Sequence, residues 1–151
     1  MTQTSAPRPL LRPVLPSDAA AIGTLLGVLG YPCTREEALA RIQRAGPDPR
    51  QRVLVADQHG ELAGLIAMNV RYSFVHGVDI CHIAALVVAP NWQRRGIGQQ
   101  FLHEAQRWAR ARNAARIEVA SATHRTDAHA FYRRCGYPET GLRFVRRLGD
   151  A

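Results

Sequence analysis

The stretch from Leu86 to Gly98 constrains this chain more than any other. An apolar run, Leu86-Val87-Val88-Ala89, ends at Pro90. After Asn91 and Trp92 comes a basic, glycine-bearing segment, Gln93-Arg94-Arg95-Gly96-Ile97-Gly98. Beyond it Ile97, Phe101, Leu102, Ala105 and Trp108 recur at helical spacing, so a strand feeds a turn that opens an amphipathic helix. The leading N–H groups of a helix have no intrahelical acceptor, and its dipole favours negative charge there, so such a turn suits a phosphate. Arg94 and Arg95 add charge. Glycines at this place also serve tight packing. Two familiar phosphate motifs are excluded: no Gly-Lys-Ser/Thr follows, and the third glycine position of the dinucleotide fingerprint is Phe101.

Around this stretch the pattern predicts a mixed α/β fold in the order βααβββαβαβ. Leu10 to Leu15 reads as an edge strand containing Pro13. Ser17 is placed to cap a helix with Ile22, Leu25, Leu26 and Leu29 on one face, stopped at Gly30. Thr34 and Glu37 form a capping box for a second helix ending near Ala45. Arg52 to Asp57, Leu62 to Val70 and Asp79 to Val88 read as a meander, the first two joined at His59-Gly60. The helix opened by the glycine turn then runs to about Asn113. Arg116 to Ala120 is a strand, Thr126 to Cys135 a helix stopped by Gly136, and Leu142 to Leu148 a last strand. The sheet is expected to be mostly antiparallel with flanking helices.

Net charge is +8, from 20 Arg, no Lys and 12 acids, and nearly all the excess lies beyond residue 90. An anionic partner follows, whether nucleic acid, membrane surface or polyphosphate cofactor; the choice of Arg over Lys fits codon bias equally. With 46% apolar residues the chain is expected to bury its own core, which excludes a disordered or disulfide-stapled class. The absence of a long apolar run and of a leader pattern predicts a soluble cytoplasmic protein with no membrane partner. Cys33, Cys81 and Cys135 are too scattered for a zinc site or disulfide framework. His124, Asp127 and His129 lack a fourth ligand, so no metal is expected.

Taken whole, Leu86 to Gly98 resembles motif A of the GCN5-related N-acetyltransferases, whose phosphate turn is Gln/Arg-x-x-Gly-x-Gly/Ala. Gln93, Gly96 and Gly98 fit it. Downstream, the strand from Arg116 and then Ala128-His129-Ala130-Phe131-Tyr132-Arg133-Arg134-Cys135-Gly136-Tyr137 match the family's next strand and its Phe-Tyr helix in order and spacing, so the likeness covers about residues 10–148. It implies a flexible segment over 1–9 and a single acetyltransferase domain over 10–151. The string Arg125-x-Asp127-Ala128-His129-x-Phe131-Tyr132, with Arg143-Phe144-Val145 later, looks like the subgroup containing aminoalkylphosphonate and other small-amine acetyltransferases.

The resemblance implies acetyl transfer from acetyl-CoA to an amine by direct attack in a ternary complex. It maps the CoA contacts onto the backbone of Leu86, Val87 and Val88, the turn residues Gln93, Arg94, Arg95, Gly96, Ile97 and Gly98, and Gln99. Arg125 replaces the family's Asn near the next helix start, which puts that side-chain contact in question. Tyr132 occupies the position of the acid that protonates the CoA thiolate. For the base, period-two alternation puts His82, Ala84, Leu86 and Val88 on one face, and His82 stands where relatives carry a carboxylate base; Glu118 or a water chain are alternatives. Tyr31, Tyr72, Phe74 and His76 are candidates to line the acceptor. A small amine is the first expectation, with a protein or aminoacyl-RNA amine as the enzyme alternative. A non-catalytic nucleic-acid module is the rival from another class, disfavoured because the charge gathers at the phosphate turn. A homodimer is left open.

Overall fold

The computed structural model describes residues 8–120, 126–141 and 143–149. Its elements run β1 (Leu10–Pro13), α1 (Ala19–Leu29), α2 (Arg35–Ala45), β2 (Gln51–Gln58), β3 (Glu61–Ser73), β4 (Val78–Val88), α3 (Ile97–Ala111), β5 (Arg116–Val119) and α4 (Thr126–Arg134). The five strands form one sheet in chain order, and β1 through β4 pair antiparallel. Two compact units result, one ending at Glu118 and one beginning at Val119.

Sheet register explains how the first unit builds its core on both sides. On one face Leu54, Ile66, Met68 and Val70 align with their partners Leu86, Ile83 and Cys81 on β4. This face meets α3: a Cβ built on Gly64 would lie 3.1 Å from the Phe101 ring and 2.6 Å from the Val87 carbonyl, so only glycine fits there. Ile97, Phe101, Leu102, Ala105 and Ala109 supply the buried stripe of α3; each large side chain contributes roughly 1.5–3 kcal/mol. On the other face Val55, Leu65 and Val87 pack with Ile22 and Leu25 of α1 and Ala38 and Ile42 of α2.

The capping box forms as expected: Glu37 N–H donates to Thr34 Oγ1 at 3.1 Å and Thr34 N–H to Glu37 Oε1 at 3.0 Å. Ser17 does not cap α1. A turn of 3-10 helix over Pro16–Asp18 intervenes, and the buried Asp18 carboxylate accepts from Leu15 N–H at 2.8 Å and pairs with Arg12 at 2.9 Å. Arg12 also reaches Asp57 at 3.0 Å, which ties β1 and the approach to α1 to the end of β2.

In the second unit Phe131 of α4 meets Tyr132 edge-on, ring centroids 5.4 Å apart, and Tyr132 lies tilted against Tyr137 at 6.3 Å. Gly136, at φ 86, ends the helix, and Tyr137 N–H returns to Tyr132 O at 2.9 Å. The last predicted strand is not found: Leu142 lies outside the described residues, and 143–148 carry no strand. Phe144, Val145 and Leu148 are exposed there, with Arg143, Arg146 and Arg147 interspersed among them.

Candidate functional site

The end of β4 presents its backbone outward. Ala89 N–H donates to Ala63 O at 2.8 Å, so Ala89 faces β3. By antiparallel alternation Val87 does too, while Leu86 and Val88 direct their N–H and C=O away from it. On that side β5 spans only four residues, and Ala115 just before it bonds Asp79 O at 2.9 Å, near the far end of β4. Four residues extend about 13 Å, so β5 does not accompany β4 as far as Leu86. The Val88 carbonyl accepts from Gln93 Nε2 at 3.2 Å, which anchors the start of the turn to this edge.

The turn itself is curled by two left-handed residues, Arg94 at φ 64 and Gly96 at φ 82. Gly96 is the N-cap of α3, with no side-chain cap. Helical bonding begins with Gln100 N–H to Gly96 O at 3.1 Å, so the amides of Ile97, Gly98 and Gln99 precede it with no intrahelical acceptor. Ile97 is buried and anchors the helix start, while Arg94, Arg95, Gly96 and Gln99 are exposed. A concentration of positive potential, amides and outward strand backbone thus meets at one place, suited to a phosphorylated ligand with an extended arm. Glu61, which carries no sequence signal of function, joins it: its Oε1 accepts from Trp92 Nε1 at 3.1 Å and from Asn91 Nδ2 at 3.3 Å.

His82 departs from the expected alternation. Ala85 pairs with Ala67 and Ile83 with Met68, so Ala84 is an extra residue, a β-bulge. The slip puts His82, opposite Asn69, on the face that carries α1 and α2, and Leu86 and Val88 on the α3 face. His82 is half-buried. Glu118 forms a loose pair with Arg71 at 3.8 Å. Tyr72, Phe74 and His76 are exposed at the β3–β4 hairpin tip, where His76 bonds Arg116 at 2.9 Å. Seven residues of β4 separate Asp79, the partner of Tyr72, from Leu86, roughly 20 Å, so these three do not line a small acceptor near Leu86. Tyr31 is exposed after α1.

Tyr132 is half-buried on α4, and Arg125 and His124 lie outside the described residues. Cys81 is buried on the α3 face, where burial pushes its thiol up to about 11, so it serves as a small core residue rather than a nucleophile. Among the described residues no helix is long and apolar enough to cross a membrane.

Comparison with known proteins identifies the family and the fold. A family model described as "Acetyltransferase (GNAT) family" matches residues 20–137. An aminoglycoside N(6')-acetyltransferase type 1 from Stenotrophomonas maltophilia is 30% identical over 139 residues, covering 89% of this chain and 90% of the relative. An aminoalkylphosphonate N-acetyltransferase from Salmonella typhimurium is 35% identical over 101 residues, covering 67% of this chain and 66% of that protein's length. Among solved structures, an aminoglycoside N-acetyltransferase in complex with CoA superimposes with a TM-score of 0.83 over 97% of this chain and 99% of its own, at 16% identity, a likeness of fold.

Proposed function

The chain belongs to the GNAT family of acetyl-CoA-dependent N-acetyltransferases, and from that premise we propose that it acetylates a primary amine of a small molecule by direct attack in a ternary complex. The observation that carries the proposal is the junction of β4 and α3. The outward backbone of Leu86 and Val88 adjoins a turn whose Ile97, Gly98 and Gln99 amides precede the first helical bond. These groups suit the arm and the phosphates of CoA, with Arg94 and Arg95 contributing charge. Bound acetyl-CoA supplies the acetyl group as an activated thioester. Both curated relatives above are named for small-amine acceptors, which supports the substrate class. A cytoplasmic location and a single acetyltransferase domain go with this reading.

The remaining tasks fall to side chains. His82, on the side of the sheet carrying α1 and α2, takes the proton from the incoming ammonium. It stands four residues before Leu86, about 13 Å along the strand, so the proton passes through water. Tyr132, assigned by its match to the family position, returns a proton to the departing thiolate. Arg125, at the family's Asn position, is a further CoA contact in this reading.

The test is a screen of small primary amines with acetyl-CoA, following thiol release. Release with a small amine supports the reading. Saturable CoA binding with release only on a peptide or an aminoacyl-RNA shifts the acceptor class, and salt-steep nucleic-acid binding indifferent to CoA overturns the enzyme. With an acceptor in hand, Tyr132→Phe should lower turnover about 10²-fold with CoA affinity unchanged. A loss below about threefold, with acyl transfer rate-limiting, would leave Tyr132 as a packing residue. The wild-type rate should fall on acidification, because only the neutral ring accepts a proton, and His82→Ala should remove that limb. An unchanged profile in the variant moves the role to Glu118 or water.

A further inference from the structure

Glu61, the first residue of β3, is linked through Trp92 to the phosphate turn. Its carboxylate holds the Trp92 indole N–H at 3.1 Å and the Asn91 amide at 3.3 Å, and the guanidinium of Arg95 lies 4.7 Å from the centroid of the Trp92 ring. The position of Glu61 is set by the hairpin before it. His59 and Gly60 take φ of 50 and 89, Gly60 N–H donates to Asp57 Oδ1 at 2.8 Å, and the other oxygen of Asp57 accepts from Arg12 at 3.0 Å.

Stacking uses only the π surface of a guanidinium, so its in-plane N–H donors stay available to a second partner. Among the described residues no carboxylate is within ion-pair distance of Arg95. Glu61, the acid in this cluster, binds Trp92 and Asn91 instead. A cation oriented on a ring and left without a counter-charge, beside amides that lack helical acceptors, is complementary to an anion. Fixing a long side chain before the ligand arrives also removes part of the ordering cost of binding.

We propose that Glu61 and Trp92 form a mount that presents Arg95 to a phosphate of CoA, with Glu61 a positioning residue acting through the indole. This rests on the placement of CoA at the Gln93 to Gly98 turn. The mount would make affinity for CoA depend on a residue of the β2–β3 hairpin, which lies outside the family's phosphate-turn pattern.

The experiment is calorimetric titration of CoA into the full chain and into Glu61→Ala, Arg95→Ala, their double variant and Trp92→Leu, with melting curves for each. Glu61 and Arg95 are both exposed, so their truncation leaves the core intact and keeps the test available even if Trp92→Leu folds poorly. Arg95→Ala should weaken CoA binding about tenfold, as expected for a lost charge-assisted contact, and Glu61→Ala about threefold. In the Arg95→Ala background, Glu61→Ala should add nothing, because its effect passes through that guanidinium. Effects of Glu61→Ala and Arg95→Ala that multiply, or no effect of Glu61→Ala beside a clear loss in Arg95→Ala, overturn the mount while leaving the turn as the phosphate site. If neither Arg95→Ala nor Gly96→Val changes CoA affinity, the placement of CoA fails, and the mount with it.

Discussion

The turn joining β2 to β3 and the turn joining β4 to α3 carry the same local strain and put it to different use. Each holds a non-glycine residue in the left-handed region, His59 at φ 50 and Arg94 at φ 64, close to a left-handed glycine, Gly60 at 89 and Gly96 at 82. At the first, Gly60 N–H is taken by Asp57, and the strand ladder resumes with Gln58 opposite Glu61. At the second no side chain caps α3, and its leading amides precede the helical ladder. Backbone strain alone therefore does not mark a site; what distinguishes the second turn is donors left for something outside the chain.

The largest effect should come from altering the second turn. A Cβ at Gly96 meets nothing within 4 Å, so Gly96→Val strains the backbone without clashing with the core. CoA affinity should fall at least about a hundredfold as the charge-assisted contacts to the leading amides are lost, in a protein that still melts cooperatively. Wild-type affinity in the folded variant would erase the distinction between the two turns.

A smaller effect, on stability rather than binding, should follow from releasing the first turn's clamp. Arg12→Ala leaves the buried Asp18 carboxylate without its cation, at a cost of about 2 kcal/mol in urea unfolding, and it also loosens Asp57. Hydrogen bonding to Arg12 is the main cause that holds both carboxyls below their ordinary range, helped by Leu15 N–H at Asp18 and by Gly60 N–H at Asp57. Their folded values lie under the unfolded ones near about 4, so this stability is present above that pH and lost as pH falls through the lowered values. Wild type should weaken more steeply below pH ~4 than Arg12→Ala; parallel acid profiles would show that Arg12 is not the source.

The smallest effect should be a gain. His59→Gly relieves a left-handed non-glycine residue and should stabilise by about 1 kcal/mol, seen as a rise in melting temperature, with CoA affinity unchanged. A loss of stability instead would show that the His59 side chain contributes more than its backbone conformation costs.

Local and periodic features of this fold are legible in the sequence. The stripe through Ile97, Phe101, Leu102 and Ala105, the Thr34–Glu37 box and the Gly136 stop each depend on residues a few positions apart. The glycine turn is legible for the same reason. What is not legible depends on long-range partners: Arg12 finds Asp57 45 positions away, and Trp92 finds Glu61 31 positions away. The slip at Ala84 is hidden because both faces of the sheet are covered, so Ile80 and Cys81 are both buried and apolar spacing does not betray the change of side. The expectation of a strand from Leu142 rests on local apolar content, whereas a strand exists only by pairing with a distant neighbour, which the local pattern does not specify.

The extra residue at Ala84 also guards strand alignment. In a uniformly alternating hairpin, sliding one strand by two residues keeps every side chain on its proper side, so the shifted pairing competes with the native one during folding. Here Ile83 and Ala85, two apart, belong to opposite layers, with α3 behind one and α1 and α2 behind the other. A two-residue slide of β4 past β3 must either carry the bulge along, moving the bend away from the Ala67–Met68 step, or leave the bend in place and turn Ala85 onto the wrong side. The kink thus acts as a one-position key, and deleting Ala84 would remove it.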